Sequence, residues 1–259
     1  MKYPEVTTHI VKWLNQHLVQ SAQKGFVIGI SGGIDSAVTS TLCALTGAPT
    51  LIVSMPIKQH APEYHRAQEH CLWLKQKFSN VETQELNLDT VWMAIETAFT
   101  PISTHALVMA NSRSRLRMLT LYAFAGSRSF LVAGTGNKIE DFGIGFFTKY
   151  GDGGVDISPI ADLFKSEVYA LGRHLQICNS ILSAKPTDGL FADGRTDEDQ
   201  IGATYDELEW AMKHASNIKP EEYTERQRAV LEIYRQRHNQ NAHKMKPIPV
   251  CSIPQHLKT

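Results

Sequence analysis

Cysteine is scarce in this 259-residue chain, and the four present (Cys43, Cys71, Cys178, Cys251) form no Cys-x-x-Cys pair. That spacing argues against a zinc site or a disulfide framework and fits a reducing compartment. Net charge is missing too. Twenty-six basic and 26 acidic side chains cancel, so the global balance makes no case for nucleic acid or membrane partners. No apolar run approaches the length of a membrane span. The first 23 residues read as an amphipathic helix carrying His9, Lys12 and His17, not as an apolar signal sequence. Internal repeats, low-complexity blocks and a dividing linker are also lacking. The expectation is a soluble cytoplasmic protein, one domain over residues 1–259, whose 42% apolar content can fill a large core.

What is present is alternation. Candidate strands at Phe26–Ser31, Thr50–Met55, Val81–Leu88 and Phe130–Thr135 are separated by helical patterns near 34–46, 60–78, 90–99 and 111–126. Strands spaced by helices imply right-handed crossovers and an α/β fold, a doubly wound parallel sheet flanked by helices. Ligands bind such sheets beyond the carboxyl ends of the strands, where strand order reverses. The division expected is an N-terminal helix (1–24), a core (25–180) and a helical C-terminal part (181–259). In that last part Thr204–Glu207 is a capping box, Glu221–Asn239 reads as a long charged helix, and Lys246-Pro247-Ile248-Pro249 cannot be helical.

The first strand runs into Ser31-Gly32-Gly33-Ile34-Asp35-Ser36 and then into a helix. Strand, glycine turn and helix start aim backbone N–H groups at one point, which suits phosphate. No Lys-Ser or Lys-Thr pair closes the loop, so it is not of the Walker type. Asp35 stands there instead, and a carboxylate among phosphates makes sense with Mg²⁺ between them. Such a loop suits pyrophosphate as a leaving group.

Four more segments carry chemistry. Leu131–Glu140 is a second strand entering a glycine turn. If parallel to the first, it brings Thr135 and Glu140 to the edge that holds Asp35, and two carboxylates there form a plausible Mg²⁺ cage. The bland alternative makes Glu140 a solvated loop acid and Thr135 a helix cap. Asn111–Met118 is read as the start of a helix; Arg115 points away from Arg113 and Arg117, which favours one functional arginine. Gly143–Gly154 interleaves five glycines with Phe146, Phe147 and Tyr150, a composition for a loop that closes over a nucleotide. Lys149 then meets phosphate or carboxylate, and Asp156 accepts from sugar or amide. A hairpin would explain Asp152-Gly153-Gly154 without function. Lys165, an ordinary exposed helix lysine by position, returns to the triphosphate if the glycine segment folds back.

Together, Ser31–Ser36, Gly134-Thr135 with Glu140, Phe147–Gly154 and Pro159–Lys165 resemble the motifs of NAD⁺ synthetases. So do Thr196–Asp199, Tyr205–Glu207 and His243-Lys244. The order is kept from residue 25 to about 249. Thr148–Gly154 is the specific string; the glycine loop alone marks all ATP pyrophosphatases. The resemblance implies an adenine nucleotide alpha hydrolase-like fold and the ammonia-dependent form, because only about two dozen residues precede the loop. The implied reaction adenylates the nicotinate carboxylate of deamido-NAD⁺ with ATP, releases pyrophosphate, and lets ammonia displace AMP to give NAD⁺. Carried across by position, Gly29, Ile30, Ser31, Gly32, Gly33, Ile34, Asp35, Ser36, Thr135, Lys165 and Thr187 contact ATP. Arg115, Lys149, Asp156, His243 and Lys244 contact deamido-NAD⁺, and Asp35 and Glu140 hold Mg²⁺. No covalent nucleophile is implied, and a homodimer is. The chain departs from the pattern at Ser112-Arg113-Ser114, in the length of Asp141–Phe146, and at Phe191–Arg195, a segment expected to order with ligand.

Two rivals stand beside this reading. A GMP synthetase-like or tRNA-thiolating enzyme shares the loop, but thiolation wants reactive cysteines and a basic surface. A silent ATP sensor would have no need of both Asp35 and Glu140.

Overall fold

In the computed structural model, which describes residues 1–187, 196–216 and 220–258, four parallel strands pair in the order β3-β2-β1-β4. They are β1 (Gly25–Ile30), β2 (Thr50–Ser54), β3 (Val81–Glu85) and β4 (Phe130–Val132). Around them lie α1 (Tyr3–Ser21), α2 (Ile34–Leu45), α3 (Ala61–Lys77), α4 (Asp89–Ala98), α5 (Ala106–Arg128), α6 (Lys165–His174) and α7 (Asn179–Leu182). The C-terminal part adds α8 (Asp197–Ile201), α9 (Tyr205–His214) and α10 (Glu225–Met245). Phe191–Arg195 falls outside the described residues. No helix among those described is long and apolar enough to cross a membrane.

The strands are apolar because both faces are covered. Phe26, Ile28 and Ile30 join Leu14 of α1, Leu42 of α2 and Leu171 of α6 in one core. Val27, Leu51 and Val53 meet Trp92 of α4 and Leu116 of α5 in a second core on the opposite face. A third cluster, outside the sheet, packs Ile139 and Ile144 against Leu208 of α9 and Val230 and Tyr234 of α10. The doubly wound parallel sheet expected from the sequence is therefore present. Strand order reverses at β1, which has β2 on one side and β4 on the other. The crevice beyond its carboxyl end is where sheets of this kind bind their ligands.

Several boundaries differ from expectation for local reasons. β3 stops at Glu85 because Asn87 turns the chain, its Oδ1 accepting from the Asp89 N–H at 2.8 Å, and α4 begins there. β4 ends at Val132, and the Gly134 N–H turns to the Ile157 carbonyl at 2.7 Å. α5 begins at Ala106, so Asn111 lies inside the helix and not at its start. α10 begins at Glu225, where Thr224 and Gln227 form a capping box, and runs on to Met245; His243 and Lys244 thus occupy its last turn. The capping box at Thr204 is as expected.

One buried base belongs to the core and not to the crevice. His70 of α3 is fully buried and shares a 3.0 Å hydrogen bond with Ser40 of α2. Burial depresses its pKa to about 4 from 6.5. A histidine held neutral in this way makes its full contribution above pH 6.5 and loses it as pH falls toward 4. Compared with His70→Gln, the wild-type protein should lose about 3 kcal/mol of stability over that window. Urea unfolding of both proteins between pH 4 and 7 measures the difference; parallel pH curves would contradict it.

Candidate active site

The glycine loop is built for an anion. Gly32 has φ of +86°, and a Cβ there would lie 2.4 Å from the Glu63 carbonyl oxygen, so only glycine fits between α2 and α3. No side chain caps the start of α2, which leaves its first N–H groups for a ligand. From α3 and the residues before it, Arg66 donates to the Gly32 carbonyl (3.1 Å) and Gln59 to that of Ser31 (3.1 Å). Ser36 Oγ accepts from the Ser31 N–H (3.3 Å) and donates to the Gly33 carbonyl (3.0 Å), closing the turn. Gly29 and Ile30 end β1 beneath it, and Ile34 starts the helix.

Asp35 and Glu140 face the same point. Lys165 Nζ lies 2.6 Å from Asp35 Oδ2 and 3.1 Å from Glu140 Oε1. The loop-acid reading of Glu140 is thereby overturned: it sits in a π-helical turn, Ile139–Ile144, half-buried and bonded. Thr135 is not the cap of that turn either. Asn137, fully buried, accepts there from the Ile139 and Glu140 N–H groups and donates to Asp35 Oδ1 at 3.2 Å. Thr135 lies two residues before it. Lys165 is not an exposed helix lysine, since only 5% of its side chain is accessible. It opens α6, whose next residue, Ser166, is gripped by Glu209 of α9 through N–H (2.9 Å) and Oγ (2.7 Å).

The electrostatics follow from burial. It raises the Asp35 carboxyl, and Glu140 adds to this against the lowering pull of Lys165. Burial also works against the Lys165 ammonium, but Asp35, Glu140 and Asp197 outweigh it and hold that pKa above its ordinary value. Asp141, the neighbour of Glu140, is pushed up to about 8 by burial and then by Glu140, Asp152 and Asp35. Two half-buried carboxylates meeting at one cation suit Mg²⁺, which binds through one or two carboxylates completed by substrate phosphates.

The second group of expected residues gathers around the Phe147–Gly154 turn. Arg115 donates to the Lys149 carbonyl (3.3 Å), Lys149 Nζ to the His243 carbonyl (2.9 Å) and Lys244 Nζ to the Phe147 carbonyl (2.7 Å). Arg113 stacks over Trp92 and Arg117 donates to the Met55 carbonyl, whereas Arg115 turns to the glycine segment. Asp156 accepts from the Val132 N–H (2.8 Å) and the Tyr122 hydroxyl (3.0 Å). The glycines of the turn serve close packing. Asp152 is held by Ser114 and by the Thr148 N–H, and a Cβ at Gly151 would stand 2.2 Å from Ser114 Oγ. A cavity of about 150 Å³ lies between this turn and the π-helical turn, lined by Gly136, Asp141, Phe147, Asp152 and Lys244. Thr187 lies apart from both groups in the sequence of elements, after α7, next to Pro186, whose carbonyl accepts the Asp197 N–H at 3.1 Å.

The sequence reading gave no role to Asn137, Tyr205 or Asp197. Tyr205 donates to Glu140 Oε1 at 2.6 Å and lies 3.2 Å from Asp197 Oδ2. All three stand inside motif segments already singled out, which was the only signal available.

The NAD synthase family model matches residues 6–248. The chain belongs to the NAD synthase family. It is 40% identical over 211 residues to the NH(3)-dependent NAD(+) synthetase of Mesoplasma florum, spanning 81% of this chain and 84% of that protein. It is 32% identical over 250 residues to the one from Mannheimia succiniciproducens, spanning 94% of each. Among solved structures, the NMN synthetase of Francisella tularensis superposes with a TM-score of 0.85 at 32% identity, covering 98% of this chain and 99% of that one.

Removing one member of a buried ion group strands its partners. Asp35→Ala should therefore cost about 3 kcal/mol of stability. Urea unfolding at neutral pH measures this, and a variant as stable as wild type would show the pair to be energetically idle.

Proposed function

We infer that this chain is an ammonia-dependent ligase that amidates the nicotinate carboxylate of deamido-NAD⁺ at the expense of ATP, giving NAD⁺, AMP and pyrophosphate. The convergence of Asp35, Glu140 and Lys165 at the mouth of an uncapped glycine loop carries the reading; membership of the NAD synthase family supports the substrate.

The chemistry needs a leaving group, because a carboxylate attacked by ammonia would have to expel oxide. Transfer of AMP to the carboxylate supplies one and releases pyrophosphate. Gly29–Ser36 would hold the phosphates through backbone N–H groups, with Thr135, Lys165 and Thr187 as further ATP contacts. Mg²⁺ held by Asp35 and Glu140 would offset the charge of the triphosphate. Arg115, Lys149 and Lys244 would receive the second polyanion, joined by Asp156 and His243. A cavity of about 150 Å³ is the size that holds one six-membered ring, which supports the nicotinate ring lying between Asp141 and Phe147. Alignment and charge stabilisation account for the acceleration without a covalent nucleophile.

We further propose a homodimer in the cytoplasm. Val91 and Met93 of α4 and Leu107 and Leu119 of α5 are exposed, an apolar set that fits a two-fold contact.

A second reading has its own support. The Francisella tularensis protein that covers this chain nearly end to end is an NMN synthetase. The same machinery acting on nicotinate mononucleotide would give the mononucleotide amide, with the same AMP and pyrophosphate.

Purified protein given ATP, Mg²⁺, ammonium and deamido-NAD⁺ should form NAD⁺, AMP and pyrophosphate in equal amounts. Glu140→Gln should lower the rate at least about a hundredfold; ordinary turnover from that variant would remove Glu140 from the site. Competition between deamido-NAD⁺ and nicotinate mononucleotide decides the substrate. The first reading expects the higher kcat/KM for the dinucleotide, and a reversed preference of about tenfold establishes the second.

A further inference from the structure

Lys165 holds a place that a phosphate contact alone does not require. Its ammonium stands between two carboxylates that would repel each other without a positive charge. We propose that Lys165 is the resident counter-cation of Asp35 and Glu140, that a divalent metal enters only by displacing this ammonium, and that Tyr205 is the positioning residue that keeps Glu140 aimed at the shared point. This rests on the reading that those two carboxylates hold the metal.

Tyr205 is suited to the task by its own restraints. It is 5% exposed and opens α9, with its N–H held by Glu198 Oε1 at 3.0 Å and the preceding Thr204 capping the helix. From that fixed base its hydroxyl reaches Glu140 Oε1 at 2.6 Å, shorter than the 3.1 Å from Lys165 to the same oxygen. Glu140 therefore keeps one of its two anchors when the ammonium leaves. On the other carboxylate, Asn137 holds Asp35 Oδ1 while Lys165 takes Oδ2. Each acid is thus oriented by one neutral partner and shares the common cation.

The Tyr205 ring is a contact that the resident ammonium already makes and can keep as it swings: Lys165 Nζ lies 4.6 Å from the ring centroid, within the range of a cation–π contact. Asp197, whose Oδ2 meets the same hydroxyl at 3.2 Å, adds attraction from that side. The backbone can stay in place while the side chain swings, because Glu209 pins Ser166. A metal arriving alone must expel a buried ammonium that gains no new anion. A metal arriving with ATP brings phosphates for the ammonium to meet. The site should accordingly take metal and nucleotide together and hold metal alone poorly.

The test titrates Mn²⁺ alone, without nucleotide, into the full chain, reading free Mn²⁺ by electron paramagnetic resonance and melting temperature in parallel. Lys165→Met should bind Mn²⁺ at least about tenfold more tightly than wild type. Its melting temperature, lowered by the unpaired carboxylates, should rise with Mn²⁺ while that of wild type stays constant. Adding Tyr205→Phe to Lys165→Met should take back most of the gain, an effect that a merely structural tyrosine would not have. Equal Mn²⁺ affinity in wild type and Lys165→Met overturns the displacement. Unchanged affinity on adding Tyr205→Phe overturns the positioning role. If Lys165→Met folds only when Mn²⁺ is supplied, displacement is supported; if Mn²⁺ fails to restore it, the proposal falls. Amide formation by the wild-type protein reports on the ligase reading separately.

Discussion

A single buried cation ties this molecule together. Lys165 draws Asp35 from the start of α2 and Glu140 from the π-helical turn to one nitrogen, across 130 and 25 residues of sequence. Bringing two acids out of water is costly, and the cost is met only when opposite charge and further hydrogen bonds surround them. Asn137, Tyr205 and Glu209 supply those bonds, directly or by fixing the backbone beside the charge. The sheet, the glycine loop and the C-terminal helices are thus held in one mutual arrangement at the place where chemistry is inferred.

The sheet was legible because its residues obey simple rules. Strands covered on both faces read as apolar runs, and β1 and β2 are almost wholly buried. The edge strand β3 was overextended because nothing in Leu86-Asn87-Leu88 announces that Asn87 will fold onto the Asp89 N–H. α5 was begun too late for a similar reason. Its first residues, Ala106–Ala110, precede the polar run that drew attention, and no side chain caps the helix to mark its start.

The site was legible as a set of segments and not as a set of contacts. Asp35, Glu140 and Lys165 stood out by residue type beside glycine turns, yet their pairing depends on how α6 approaches α2. That approach is fixed by packing: a Cβ at Gly172 would stand 2.7 Å from Ile34. Asn137 and Tyr205 escaped notice because a neutral amide and a phenol carry no charge signal, although between them they orient both acids. The twelve-residue glycine segment was read as a closing loop on composition. Its glycines let Ser114 and Phe147 come close, and cations from α5 and α10 grip its carbonyls.

The π-helical turn leaves Glu140 and the Phe147 turn on one shared frame. It adjoins no α-helix, and the Gly143 and Ile144 carbonyls are taken by His238 and Asn241 of α10. Deleting one residue here would change the bearing of Glu140 relative to the Phe147 turn. Either Glu140 or that turn would keep its heading, never both. The phase between the acid and the glycine segment is therefore stored in that one widened coil.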